Sequence, residues 1–370
     1  MPHGGYISAG ARQVGQAPLR SAVKRGLQVF KRLSALAAMG LRQSPDPQPR
    51  PSPPIKRPGI PITPPASQAP RRDVAAEGEH PLVVVGDVCD RSRPEAKVIV
   101  VANEKGGVGK STLAFHTAIA LSDAGFKVAA MDLDPRQQSL ARALAFREAT
   151  SRRLSVDLPT PSYTVFKHTS GAMLCQEMAR IGWSADYIIL DVPGSDSPLA
   201  RRAIALADTL LTPINASFVD LDLLGRFQPT THELIGPAFF VRMVNELRAE
   251  RLRRGMAEMD WIVLPNRLRD DPNTNQLRFE DALNRLAPIA DFRTTTGLGE
   301  RVAYRELFLL GLTHLDLRHI PQLGGLNSPA HRELITLMMQ LRLPTKPLPF
   351  PFASEAKSER ELEVAPNLSL

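Results

Sequence analysis

The apolar β-forming run Val98–Val101 is followed closely by Lys105-Gly106-Gly107-Val108-Gly109-Lys110-Ser111-Thr112. From Lys110 the apolar positions Leu113, Ala114, Thr117, Ala118 and Leu121 return at helical spacing, ending at Gly125. Strand, glycine loop and helix in register leave few folds open to such a chain. Tandem glycines let successive amides turn inward, and the opening helix adds the positive end of its dipole, so phosphate oxygens are met by N–H groups. The stretch fits the G-x-x-x-x-G-K-[ST] phosphate loop loosely: Gly109-Lys110-Ser111 supplies the end, Glu104 stands at the first position, and Lys105 adds a second lysine five residues before the usual one. Lys110 is expected to reach the β and γ phosphates and Ser111 to coordinate Mg²⁺. Gly106, Gly107, Val108, Gly109 and Thr112 complete the nucleotide cradle.

The alternation continues down the chain. Strands are predicted at Lys127–Met131, Tyr187–Leu190, Thr209–Leu211 and Trp261–Leu264. Helices are predicted at Arg136–Glu148, Gly171–Ile181, Phe239–Arg254, Thr274–Leu286 and Ala330–Leu341. Repeated strand–helix units imply right-handed crossovers, and hence an α/β fold: a doubly wound, mostly parallel sheet with helices on both faces. Asp191 closes the apolar run Tyr187–Leu190 at the carboxyl edge, where such sheets bind ligands. A carboxylate there is costly to bury without a partner, which makes an Mg²⁺-bound water its natural partner. Pro193-Gly194 follows as a tight turn suited to sensing a γ phosphate. Asp132 and Asp134, two apart at the end of the second strand, point the same way. One is read as an Mg²⁺ group and the other as the residue that positions the attacking water; simple turn-forming acids are the alternative.

Charge separates the ends from the core. Residues 1–95 hold fourteen Lys/Arg and seven Asp/Glu, a net of +7 against +8 for the whole chain, so the core is within one charge of neutral. The high isoelectric point therefore does not by itself make the core a nucleic-acid binder. Residues 1–44 contain no acid, and 19–41 read as a basic amphipathic helix able to lie on an anionic membrane or dock in a partner's groove, with a tail lacking structure as the alternative. Residues 45–95 form a linker, with eleven prolines between 45 and 70, and Leu82–Val85 is either an added edge strand or an incidental apolar run. The ATPase domain is placed at 96–343, and 344–370 as a disordered acidic tail. Cys89 and Cys175 suit structural thiols in a reducing cytosol, and no run approaches the roughly 18 apolar residues of a spanning helix.

The two-lysine loop is similar to the deviant phosphate loop of the ParA/MinD ATPases, and Asp132-Leu133-Asp134-Pro135 resembles their second acidic motif. Residues 102–112 (ANEKGGVGKST), 214–225 (INASFVDLDLLG), 259–268 (MDWIVLPNRL) and 301–317 (RVAYRELFLLGLTHLDL) resemble the MipZ family of division-plane-positioning ATPases. That resemblance implies a slow Mg²⁺-dependent ATPase that dimerises with ATP, with Lys105 crossing to the partner's nucleotide. It implies Asp134 as the water-positioning residue, Asp132 and Asp191 serving Mg²⁺, and Asn266 recognising adenine. It further implies non-specific duplex DNA binding by the dimer, recruitment by ParB, inhibition of FtsZ polymerisation, and a cytoplasmic, nucleoid-associated protein enriched near the cell poles. The DNA surface is expected at Arg267, Arg269, Arg278, Arg301 and Arg305. Two other readings share the chemistry: a chromosome- or plasmid-partition ParA, and a MinD-like membrane regulator anchored through 19–41. Val192 departs from the family pattern, in which threonine is commoner.

Overall fold

Val98 and Val100 pack on one side of the central sheet with Ile188 and Leu190, while Ile99 and Val101 pack on the other with Ile189. This two-residue alternation with both faces apolar is what a parallel sheet covered by helices requires. The computed structural model describes residues 79–343 apart from 229, 232 and 321–328. The stretch 19–41, the proline-rich segment and the acidic tail lie outside the described residues.

The elements run α1 (Pro81–Cys89), β1 (Lys97–Val101), α2 (Lys110–Asp123), β2 (Val128–Asp132), α3 (Ser139–Leu154), β3 (Ser162–Val165), α4 (Gly171–Ile181), β4 (Tyr187–Asp191), α5 (Pro198–Leu206) and β5 (Thr209–Asn215). There follow a single turn α6 (Phe218–Leu221), the antiparallel hairpin β6 (Gly225–Phe227) and β7 (Leu234–Pro237), α7 (Phe239–Arg253), β8 (Asp260–Leu268) and α8 (Thr274–Ala290). Short β9 (Arg293–Thr294) and β10 (Leu298–Gly299), then α9 (Val302–Leu309), a 3₁₀ turn (Asp316–Arg318) and α10 (Pro329–Leu341), complete the described elements. The main sheet is parallel throughout, in the order β10-β8-β5-β1-β4-β2-β3, with β9 also on β8. One face is covered by α1, α4, α5, α7 and α8, the other by α2, α3, α9 and α10. No helix among the described residues is long and apolar enough to cross a membrane.

The edge strand entertained at Leu82–Val85 is instead a helix. Pro81 occupies its first turn, where a missing N–H costs nothing, and His80 Nδ1 accepts from the Leu82 amide at 3.2 Å. Val84, Val85 and Val88, at helical spacing, are buried against α5 and α7, which outweighs the strand preference of three consecutive valines. The helix placed at Arg136–Glu148 starts later, at Ser139, because residues 134–138 form a tight turn. The strands Thr209–Leu211 and Trp261–Leu264 extend to Asn215 and Leu268, carrying β8 to the ligand edge.

Beneath the nucleotide helix lies an aromatic cluster. Tyr304 meets the rings of His116 and His314 edge-on, each with centroids 5.3 Å apart. Burial pushes the His314 imidazole down to about 3, reinforced by His116, His331 and Arg301. Its folded value lies below the unfolded one, so its neutral form contributes stability fully above about pH 6.5, lost as pH falls toward 3. Asp191, whose value is raised, has the opposite slope between those limits, so the whole-chain profile mixes the two signs. A comparison with His314→Phe, which keeps a ring against Tyr304, removes the mixing. The stability of the natural chain relative to that variant is expected to fall by about 1.4 kcal/mol per pH unit between pH 6 and 4 in urea titrations. A pH-independent difference would contradict it.

Candidate nucleotide site

Three strand ends converge on the glycine loop. In register, Val101 of β1 and Asp132 of β2 both pair with Asp191 of β4, so Asp132 and Asp191 sit side by side at the carboxyl edge where β1 opens into the loop. Gly107 and Gly109 are left-handed, with φ of 76° and 95°, and Gly109 caps the start of α2. Asn103, buried at the end of β1, anchors the loop: its Nδ2 donates to the Pro213 carbonyl at 2.8 Å and its Oδ1 accepts the Lys105 amide at 2.7 Å.

The two lysines have separate surroundings. Lys110 is buried, and its Nζ donates to the Lys105 carbonyl at 2.8 Å. Burial lowers its affinity for a proton, while Asp191 and then Asp134 raise it. The Lys105 ammonium turns away and pairs with Asp220 of its own chain; Asp220 is 4% exposed and Lys105 is 40% exposed, so the pair sits at the edge of solvent. Asp220 also accepts the Asn215 amide at 3.1 Å, and Ser217, which caps α6, accepts the Asp220 amide at 3.2 Å.

Asp191 is buried, and its Oδ1 finds no hydrogen-bond partner among the described residues. Burial and the neighbouring Asp132 push its carboxyl up to about 7, against the Ser111 hydrogen bond and the charge of Lys110. An orphaned carboxylate oxygen beside a loop serine is the donor set a hydrated Mg²⁺ takes, so the residues fit that ion. Asp132, also expected to serve Mg²⁺, is engaged by main-chain amides. Its Oδ1 accepts the Asp134 amide at 2.9 Å, and its Oδ2 accepts those of Leu140 and Ala141 at 3.0 and 3.2 Å. With both oxygens committed to main chain, it ties the end of β2 to the start of α3. Burial raises its carboxyl above the usual carboxylate range, and those three amides offset this only in part.

Asp134 sits nearer solvent, and its Oδ1 accepts the amides of Arg136 and Gln137, each at 3.0 Å. It therefore forms a turn in this structure while facing a groove of about 880 Å³ that also contacts Gln137, Gly194, Ser197 and Arg202. Across the groove, a Cβ on Gly194 would lie 2.9 Å from Lys110 Nζ and 3.1 Å from Gly106. The missing side chain at Gly194 lets Pro193–Ser197 approach the phosphate loop without displacing Lys110.

Asn266 reaches the loop, with Nδ2 donating to the Val108 carbonyl at 2.8 Å. Arg267, at φ 57° and exposed, donates to the Gly107 carbonyl at 2.8 Å, which places it beside the nucleotide loop. Arg301, also expected on the DNA surface, is partly buried and paired with two carboxylates. Its guanidinium lies between Glu333, with Nε to Oε1 at 2.8 Å, and Asp270, with Nη2 to Oδ1 at 2.8 Å. Arg269, Arg278 and Arg305 are exposed. Sequence reasoning missed Asn103 and Asp220. A serine three residues before Asp220 signals the helix cap, but nothing local signals its lysine partner.

Parallel sheet, two-lysine loop and strand-end carboxylates together define a P-loop ATPase of the ParA/MinD kind. The family model described as ATPase MipZ matches residues 97–345, and the chain belongs to that family. The chain is 27% identical over 159 residues to the chromosome-partitioning ATPase Soj of Thermus thermophilus, covering 38% of this chain and 64% of Soj. It is 26% identical over 163 residues to the chromosome partitioning protein ParA of Myxococcus xanthus, covering 36% of this chain and 57% of that protein. The matches thus span less than two thirds of either relative. Among solved structures it is similar to the ATP complex of Cyanothece McdA(D38A), with TM-score 0.46 and 18% identity over 68% of this chain and 100% of that one. It is also similar to the MinC:MinD cell division complex of Aquifex aeolicus, with TM-score 0.44 and 17% identity over 69% of this chain and 99% of that one.

Proposed function

We propose that this chain is an ATP-operated dimerisation switch that positions the division plane, binding duplex DNA non-specifically as the ATP dimer, recruited by ParB and inhibiting FtsZ polymerisation. The observation that carries this reading is the division between the lysines. Lys110 is turned into its own loop, whereas Lys105 projects from the loop, partly exposed, to the buried Asp220 carboxylate. Two faces carrying ATP repel each other, and a lysine given to the partner's phosphates offsets that charge only once the faces meet. To be given, Lys105 must leave Asp220. The dimer therefore exchanges an ion pair within one chain for one between chains, and ATP decides which is favoured.

Within each site the loop amides and Lys110 hold the phosphates, Asn266 reads adenine, and Asp134 orients the attacking water. Ser111 and Asp191 would hold Mg²⁺, which supplies positive charge against the triphosphate. Pro193–Ser197, beside Lys110, meets the third phosphate and is released when that phosphate goes. Arg269, Arg278 and Arg305 are the arginines proposed for DNA phosphates, each contact additive and weakened by salt.

With a non-hydrolysable ATP analogue, the natural chain is expected to sediment as a dimer, retain duplex DNA and suppress FtsZ assembly. Lys105→Ala is expected to weaken that dimer by about 30-fold or more, the scale of a charge removed from its counter-charge at an interface. An equally tight dimer without Lys105 would end the shared-lysine reading. DNA retention with no effect on FtsZ would point to a partition ParA. Vesicle binding that requires residues 19–41 would point to a MinD-like membrane regulator.

A further inference from the structure

Helix α1 lies outside the region matched by the family model, yet it is tied to the loop that meets the third phosphate. Two adjacent arginines at the start of α5, Arg201 and Arg202, are only 4% and 8% exposed, and buried guanidinium groups are held by partners on every side. Arg201 grips Asp196 within the loop, with Nε to Oδ1 at 2.8 Å and Nη2 to Oδ2 at 2.5 Å, while its Nη1 donates to the Glu79 carbonyl at 3.0 Å. Arg202 donates from Nε to Asp87 Oδ2 at 2.5 Å, pairs with the Glu79 carboxylate, and holds the Pro198 carbonyl at 3.0 Å. Gly171, at the start of α4, makes room for this pairing: a Cβ there would come within 2.4 Å of both Arg202 Cδ and Asp87 Oδ2.

The same helix is anchored by apolar packing. Val84, Val85 and Val88 share one buried cluster with Ala203 and Ile204 of α5 and with Phe240 and Val244 of α7. Glu79 and Asp87 also form the wall of the groove that begins at Asp134. Arg201 thus joins the loop to Glu79, and Arg202, beside it on the same turn of α5, ties Glu79 and Asp87 to that helix. A shift of Pro193–Ser197 moves Asp196, hence Arg201, hence the Glu79 main chain.

We propose that Glu79–Cys89 is a positioning element acting in cis on Pro193–Ser197, biasing that loop between its triphosphate and diphosphate states through Arg201 and Arg202. The proposal rests on the switch reading only in taking Pro193–Ser197 as the loop that meets the third phosphate. Linkage makes the effect reciprocal: if helix attachment alters the preference for a third phosphate, the third phosphate must alter helix attachment by the same factor.

Both directions are measured on the full chain with Mg²⁺ and either ADP or a non-hydrolysable ATP analogue. In the natural protein, hydrogen exchange of the amides of residues 84–89 is expected to differ between the two nucleotides. In Glu79→Gln/Asp87→Asn, the ratio of the two affinities is expected to change about fivefold or more, the lower end of typical couplings between sites. Glu177→Gln, which breaks the exposed pair with Arg180 on α4, should leave the ratio unaltered. Equal exchange with both nucleotides, or an unaltered ratio in a double variant that is merely less stable, would overturn the proposal. Because each readout is of binding, absence of an ATP dimer or of FtsZ inhibition would sink the switch reading without touching this one; failure to bind either nucleotide would sink both.

Discussion

Replacing Asp316 with alanine is expected to lower the free energy of unfolding by about 3–5 kcal/mol. The 3₁₀ turn Asp316–Arg318 brings this carboxylate against Arg147 of α3, both groups being essentially inaccessible. Arg147 donates from Nη1 to Oδ2 and from Nη2 to Oδ1, both at 2.7 Å, and its Nε reaches the Pro159 carbonyl at 2.9 Å. Asp316 Oδ2 also accepts the Thr313 amide at 2.7 Å. Removing the acid leaves a guanidinium buried without its counter-charge, which is far more costly than the pair is stabilising. The double change Arg147→Met/Asp316→Leu, which removes both charges and keeps much of the volume, should recover a large part of the loss. Urea titration distinguishes the cases; a single variant within about 1 kcal/mol of the natural chain would mean that water reaches Arg147.

Turnover of ATP is expected to fall by about 10²–10⁴-fold in Asp134→Ala, the usual contribution of a positioned proton acceptor. Affinity for ATP should change little, because in the proposed site loop amides and Lys110, not Asp134, hold the phosphates. A complication is that Asp134 Oδ1 also accepts the amides of Arg136 and Gln137. Alanine removes that turn contact as well as the carboxylate. Asp134→Asn keeps a side-chain oxygen for both amides and loses only the charge and basicity. Single-turnover measurements should therefore find Asn as slow as Ala. Near-normal turnover in Asn would assign Asp134 to the turn and leave the water to another group.

What was legible in the sequence follows from how far each signal extends. Strand, loop and helix around Lys105–Thr112 are encoded by neighbours in the chain, so periodicity and glycine placement were sufficient, and the position of Asp191 at the end of β4 was legible because it closes an apolar run. Partnerships across the fold were not. Asp220 lies 115 residues from Lys105, and only the return of β5 beside β1 brings them together. Arg301 looked like an available cation because Glu333 reaches it from α10 across a loop. Leu82–Val85 carried strand-forming side chains, but the faces of α5 and α7 that bury them as a helix are invisible from that stretch alone. Nor did the strand-end acids show that the turn after Pro135 folds the first amides of α3 back onto Asp132.

That fold-back fixes a span. One end of the segment Leu133–Gln138 is set by β2, and the other by the amides of Leu140 and Ala141 on the same carboxylate, while α3 itself is pinned through Arg147. The bridge has no slack with which to take up an extra residue. Its side chains can drift in evolution wherever they face solvent, but insertion or deletion here would shift Asp134 out of its place in the groove, so among divergent descendants the length of this bridge should be kept more faithfully than its composition.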